Sequence, residues 1–370
     1  MRLITRANEH HAAIVGAGIG GLATAIALQR AGWGVTVYEQ AERLRPLGAG
    51  LSIWPNGVHA LRALGLEAVS EQAPRVGGAL RRSDGSVLGD FDPEVIAERY
   101  GAPLVGVHRA DLHEALIAAV GREQIRFEAR LVQLDDRELR FADGSSEHAE
   151  LIVGADGINS TVRATVIADG EPSDSGIVAF RGVAGFDREV PAGEWWGAGS
   201  AAGLLPLREG RVYWYVAFRG DLDRAELDRR VGEYGEPVGA IVAATPEREV
   251  LAHRLYDRKP ASGWSSRTTT LLGDAAHPML PFLGQGACSA LEDAVALGEA
   301  MREHEDVAGA IAAYDGARRD RTAKLVNGSA QAAKVALAGS TLGRRLRDRL
   351  AASAPASMRL RQLDRVLARG

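Results

Sequence analysis

The feature that most constrains this chain is the run Gly16-Ala17-Gly18-Ile19-Gly20-Gly21, set between segments of different periodicity. Before it, Ala12-Ala13-Ile14-Val15 is continuously apolar, the pattern of a strand buried on both faces. After it, Leu22 to Arg30 carries apolar residues at helical spacing, and Gly32 ends that helix. Val35-Thr36-Val37-Tyr38 then reads as a second strand. Parallel strands joined in this way need a right-handed crossover, so the chain opens on a βαβ unit. Gly16 permits the tight turn, Gly18 lets backbone approach a pyrophosphate, and Gly21 lets the helix pack closely on the strand. The helix start offers unpaired N–H groups and a partial positive charge to phosphates. Glu39, at the end of the second strand, is placed to accept hydrogen bonds from a ribose. This segment predicts a dinucleotide site without separating nicotinamide from flavin nucleotides.

The rest of the chain alternates between two textures. From Arg75 to Tyr100 it is glycine-rich with an Asp84-Gly85 turn signal, read as a hairpin excursion. Helix–strand alternation returns from Arg109 to Arg163, with Arg126 to Phe141 read as a small β-meander. The block from Gly176 to Arg267 holds four of the six tryptophans, and Arg211 to Phe218 predicts a strand of a separate sheet. Asp221 to Tyr234 reads as a charged surface helix, and from Thr268 strand, loop and long helix resume. The organisation expected is a discontinuous nucleotide-binding domain over 1-75, 101-175 and 268-330. A substrate domain is expected over 76-100 and 176-267, and a helical tail over 331-370. That tail is arginine-rich with Leu342, Leu346 and Leu350 at helical spacing, read as helices packed on the body, with a partner or membrane-surface contact as the alternative.

Composition narrows the function classes. With 46% apolar residues a large core can be buried. A net charge of −4 argues against a nucleic-acid partner. The single cysteine, Cys288, rules out an internal disulfide or a zinc cluster, and no metal is expected. No apolar run is long enough for a membrane span. Met1 to His11 lacks the apolar centre of a signal peptide and reads as a short disordered leader, so the cytoplasm is the expected location.

Two further motifs separate the nucleotides. Gly154-Ala155-Asp156-Gly157-Ile158-Asn159-Ser160-Thr161-Val162-Arg163 resembles one aspartate–glycine motif of the flavoprotein aromatic hydroxylases, the class A FAD-dependent monooxygenases. Gly273-Asp274-Ala275-Ala276-His277-Pro278, continuing to Pro281 and Gly284-Gln285-Gly286, resembles another. With Arg109-Ala110-Asp111-Leu112 and Pro55-Asn56-Gly57, these cover the FAD-binding parts of the chain in the family's order. The nearest-looking branch holds bacterial urate hydroxylases, salicylate-type hydroxylases and zeaxanthin epoxidases.

The resemblance implies a mixed α/β fold: a Rossmann-like FAD-binding domain of the p-hydroxybenzoate hydroxylase type, interleaved with a β-sheet substrate domain and followed by C-terminal helices. It implies FAD as cofactor, NADH or NADPH as a transient electron donor, and O2 as co-substrate. One oxygen atom would pass from a flavin C4a-hydroperoxide to a small, aromatic substrate, in a monomer or homodimer. The alternatives are an epoxidase or tailoring oxygenase on an isoprenoid or polyketide, and a reductase or dehydrogenase without oxygen transfer. Gly16, Gly18, Gly21, Glu39, Gln40, Ser52, Arg109, the backbone at Leu131, Asp156, Asp274, Pro281, Gly284, Gly286 and Ala287 would contact the cofactor. Asp274, at a strand end, suits ribityl hydroxyls, and the helix after Gly286 would face the flavin's pyrimidine edge. Arg163 is assigned a supporting ion pair, His277 a neutral, hydrogen-bonded structural role, and Cys288 a packing role.

The substrate side is less defined. Tyr213 and Tyr215 share one face of their strand and Trp214 takes the other, so two phenols either line a pocket or pack a core. By resemblance, Tyr213 matches a substrate contact in the urate-oxidising branch. Arg181 would hold a carboxylate or phenolate, or form a surface salt bridge. Ala201 stands where that branch carries a substrate-binding arginine, so urate is not the expected substrate. Ala201, Ala202 and Gly203 suggest a roomier pocket, and no catalytic base is assigned.

Overall fold

The computed structural model describes residues 10–43 and 49–367. Of the expected leader, residues 1–9 lie outside the described residues, and His11 already belongs to the first strand. Five parallel strands form the central sheet, in the order Thr269–Leu271, Leu151–Gly154, His11–Val15, Gly34–Tyr38 and Ile125–Arg126. Helix Ile19–Arg30 makes the crossover and is buried on almost every side, because helix Gly286–Glu303 packs against it. The expected meander is shorter at its start. Leu131–Asp135, Glu138–Phe141 and Ser146–His148 form a three-stranded sheet, while Arg126 pairs with Tyr38 at the edge of the central sheet.

A second sheet has seven strands in the order Leu251–Asp257, Ser173–Gly185, Arg211–Arg219, Ser200–Pro206, Gly193–Trp196, Gly78–Arg82 and Val87–Phe91. The glycine-rich hairpin thus extends the edge of this sheet. Alternation then divides its faces. Val178, Phe180, Trp214 and Val216 form one apolar face with Leu227 and Ile241 of helices Arg224–Val231 and Val238–Ala243. Ala179, Arg181, Tyr213, Tyr215 and Ala217 look the other way, toward the nucleotide-binding lobe.

Helix Val307–Ala336, 30 residues long, touches both lobes. Its Tyr314 sits in the core of the first, and its Ala333 and Ala336 pack with Ala201 and Ala217 of the second. It runs past the expected boundary at 330. Helices Thr341–Ser353 and Ala356–Leu367 follow. Leu342, Leu346 and Leu350 are 80%, 57% and 62% exposed, so they do not form the packing face expected of them. The residue this helix buries is Arg347, whose guanidinium lies 4.9 Å from the Trp196 ring and donates to the Ala336 carbonyl at 2.8 Å. Its long apolar stem and planar head suit that role better than leucine would. In the last helix Leu363 and Leu367 are buried. Among the described residues, no helix is long and apolar enough to cross a membrane.

Candidate flavin and substrate site

A cavity of about 400 Å3 lies between the two lobes. Its first wall is backbone. Gly18, Ile19 and Gly20 come from one helix start, Gly284, Gly286 and Ala287 from another, and Gly157 from the loop after Leu151–Gly154. Neither helix start has a side-chain cap or an acidic residue in its first turn. Two sets of unsatisfied N–H groups and two positive dipole ends therefore open on one space, an arrangement that favours an electron-rich guest. A Cβ on Gly18 or Gly286 would meet no atom within 4 Å, so those faces are open to the cavity. Gly16, at φ +105°, instead lies hard against the Ala155 carbonyl.

Ser52, Arg109, Asp274 and Pro281 also line this cavity. Burial pushes the Asp274 carboxyl above its ordinary pKa, opposed by the neighbouring His277 and Arg109. Burial likewise lowers Arg109, which Asp274 supports and Arg181 opposes. The arrangement is a desolvated mixed-charge site, suited to the hydroxyls and carbonyls of a polar cofactor.

Other expected contacts lie off the cavity wall. Glu39 accepts from the backbone N–H groups of Ala17 at 3.0 Å and Ala41 at 2.9 Å, tying the glycine turn to the next loop. Gln40 is exposed and the Leu131 side chain is buried beyond that edge. Asp156 turns into its own loop, accepting from Ser160 Oγ at 2.5 Å, Thr161 N at 2.7 Å and Val162 N at 3.2 Å. Its neighbours Ala155 and Gly157 face the cavity instead. Arg163 pairs with Asp169 at 2.6 Å and donates to the carbonyls of Ala275 and Ala276, both at 2.8 Å, stitching the two aspartate–glycine segments together. Cys288 is fully buried, and burial pushes its thiol up to about 12.

Two residues not singled out in the sequence organise the loop that carries Asp274. Asp293 accepts from Gly273 N at 3.0 Å and pairs with His277 Nε2 at 2.6 Å and Arg318 Nε at 2.8 Å. Burial would raise its carboxyl, but His277 and Arg318 outweigh that and hold it well below the usual carboxylate range. His277 is thus a buried, hydrogen-bonded residue. An Asp two turns into a helix has no local signal for this, because its partners come from elsewhere in the chain.

The second wall is side chain. Tyr213 and Tyr215 both line the cavity, while Trp214 is buried on the far face. Burial raises the Tyr213 hydroxyl, with Arg181 and Arg109 pulling it down. Arg181 lines the cavity, and among the described residues it forms no salt bridge and its buried Nε has no hydrogen-bond partner. Ala201 is fully buried among Ala217, Ala333 and Ala336, and Ala202 faces the opposite core. The space over Gly203 is filled by the Tyr215 ring. These small residues therefore make room for packing rather than for a larger guest. Glu194, also unmarked in the sequence, accepts from the Tyr215 hydroxyl at 2.6 Å and from the Trp196 indole N–H.

A βαβ lobe with two uncapped helix starts, facing a sheet with aromatic and cationic side chains, is the arrangement of a nucleotide-binding enzyme with a separate substrate wall. The family model for the FAD binding domain matches residues 9–329, and the chain belongs to that family. It is 33% identical over 372 residues to the aurachin C monooxygenase/isomerase of Stigmatella aurantiaca, covering 96% of this chain and 95% of that one. It is also 33% identical over 338 residues to an FAD-dependent urate hydroxylase of Klebsiella pneumoniae, covering 85% and 87%. Among solved structures, Klebsiella pneumoniae HpxO complexed with FAD and uric acid matches with a TM-score of 0.91 and 28% identity, over 98% of this chain and 97% of that one. The chain is an FAD-dependent monooxygenase with a mixed α/β fold.

Proposed function

We propose that the flavin lies along the glycine wall and that a small aromatic substrate lies against Tyr213, Tyr215 and Arg181. The observation that carries this reading is that one cavity joins both open helix starts to a wall of two phenols and a guanidinium whose buried Nε has no hydrogen-bond partner among the described residues. When bound, FAD supplies hydride acceptance from NADH or NADPH and activation of O2. The chain's own residues supply the rest. Gly18 lets the backbone meet the pyrophosphate, Gly16 and Gly21 let the turn and helix pack closely enough to present it, and Asp274 and Arg109 hold the polar chain of the cofactor. Pro281, Gly284, Gly286 and Ala287 border its ring. Glu39, Gln40, Leu131 and Asp156 shape the nucleotide end from outside the main cavity, and Ser52 closes its side.

Arg181 would orient an anionic or carbonyl group by paired N–H donors, and the tyrosines would flank the ring. The interlobe position would shield the reacting edge from bulk water. The relative that hydroxylates urate supports a flat, electron-rich substrate. Ala201, packed against the long helix, supplies no charge to hold urate, so we read the substrate as a different aromatic. Residues 1-75, 101-175 and 268-330 would form the cofactor domain, 76-100 and 176-267 the substrate domain, and 331-370 the tail, in a cytoplasmic monomer or homodimer.

The test is oxidation of NADH and NADPH by the FAD-loaded protein with hydroxybenzoates, other aromatic acids, alkenes and urate, using isotopic O2. Label in a phenolic product supports the reading. Label in an oxirane supports epoxidation, and substrate reduction without label supports a reductase. Urate-stimulated turnover with tight urate binding would overturn the exclusion of urate.

A further inference from the structure

The hydrogen-bond partner of Tyr215 fixes what the substrate cavity can recognise. Strand register places Arg181 beside Tyr215, Tyr215 beside Gly203, and Gly203 beside Glu194, in one row across the sheet. Residues directly opposite across antiparallel strands share a face, and of this row Arg181 and Tyr215 line the cavity while Gly203 and Glu194 lie behind the Tyr215 ring. Gly203 is what lets the row close. A Cβ there would run into the Tyr215 ring, so the ring leans over the glycine strand and reaches Glu194. The contact at 2.6 Å is in the range of a charge-assisted O–H···O bond. The other Glu194 oxygen accepts from the Trp196 indole.

A phenol has one proton to donate and two lone pairs to accept with. The Tyr215 proton is committed to Glu194, so its oxygen meets a guest only as an acceptor. The indole is donor-only and is spent on Glu194, so it cannot take the Tyr215 proton in that carboxylate's place. One strand over, Arg181 is donor-only and has a buried N–H without a partner. We propose that the Tyr215–Glu194 pair is a specificity device. It selects aromatic substrates that carry an O–H or N–H group as well as an anionic or carbonyl group, the first accepted by Tyr215 and the second held by Arg181. This rests on the placement of the substrate against the sheet wall proposed above.

Burying a carboxylate is costly unless its lone pairs are used, and Glu194 is enclosed enough that burial raises its carboxyl. Arg347 opposes that rise by its positive charge but pairs with Asp348, leaving Glu194 to take its hydrogen bonds from neutral donors. Its two hydrogen-bond donors lie on its own strand and on the cavity-lining strand, so its placement serves the wall rather than a surface salt bridge.

The experiment uses the full-length protein loaded with FAD, and FAD uptake is read first. A protein that takes up no FAD defeats the cofactor assignment itself, a failure separate from the outcomes below. Ortho-, meta- and para-hydroxybenzoate are then each titrated against their O-methyl ethers, with dissociation constants read from calorimetry or from the perturbed flavin spectrum. At least one hydroxy compound is expected to bind about tenfold more tightly than its ether. Tyr215→Phe and Glu194→Gln should bring that ratio to within about twofold, because phenylalanine accepts nothing and the glutamine amide offers Tyr215 a proton of its own. A merely structural role would weaken both members of a pair alike and leave the ratio standing. Equal binding of ethers and phenols, a ratio unchanged in Tyr215→Phe, or binding of no member of any pair would each overturn the proposal.

Discussion

The two walls of the cavity are built on opposite principles. The cofactor wall is mostly backbone, contributed by short glycine segments that are contiguous in sequence. The sheet wall is mostly side chain, contributed by residues such as Arg181, Glu194 and Tyr215 that only strand register brings together. A backbone wall depends on the absence of side chains and recognises what all users of one cofactor share. A side-chain wall can change its chemistry one residue at a time. Conserving a cofactor and varying a substrate therefore require different materials.

The sharpest way to break this comparison is to damage the backbone wall from outside the cavity. Asp293→Ala should destabilise the protein by about 3 kcal/mol by leaving His277 buried without its carboxylate and Arg318 with Glu292 alone. Denaturant unfolding measures the loss, and the yellow FAD complex should be lost with it. Gly16→Val should cost about 3 kcal/mol or more, through a strained φ and a clash with the Ala155 carbonyl. The flavin-to-protein absorbance ratio of the purified variant should fall toward zero.

On the other wall, Arg181→Met should weaken binding of an aromatic carboxylate by about 10- to 100-fold, the worth of a charge-assisted bond, while leaving FAD content unchanged. Loss of FAD in that variant would erase the division between walls. A smaller effect is expected at the tail. Asp364 accepts from Arg99 at 2.7 Å and from Tyr100 at 2.8 Å, but the pair is exposed, so Asp364→Asn should cost no more than about 1 kcal/mol. The Arg99 and Tyr100 bonds hold the Asp364 carboxyl below its ordinary value. Its contribution is therefore present above the ordinary carboxylate range and disappears as pH falls through the lowered value. Melting temperatures of wild type and variant should differ at neutral pH and converge in strong acid. Smallest of all, the Cys288 thiol should resist alkylation at pH 8 in the folded protein, because burial keeps it protonated.

What was legible in the sequence follows the same division. The glycine turn at 16–21 announces itself because neighbours in sequence are neighbours in space, and the segments at 154–163 and 273–286 do so through their resemblance to known motifs. Alternation correctly separated Tyr213 and Tyr215 from Trp214, but could not say that Gly203 would leave room for Tyr215 to find Glu194. Arg181 was weighed as a surface ion pair because a sequence carries no signal for which face of a strand meets a cavity. Helical spacing placed Leu342, Leu346 and Leu350 on one side of a helix correctly, yet assigned that side inward. The Trp196 ring and the Ala336 carbonyl instead select Arg347, a preference set by tertiary geometry. Asp293 was missed for a related reason, since its three partners converge from two loop positions and another helix.

The 30-residue helix Val307–Ala336 has a mechanical consequence. It is fastened to one half of the molecule near Tyr314 and Arg318 and to the other near Ala333 and Ala336, like a rod bolted across a slot. Spreading the halves would mean bending the rod or tearing out one of its bolts. A guest is therefore expected to enter along the slot rather than by a spreading of the halves.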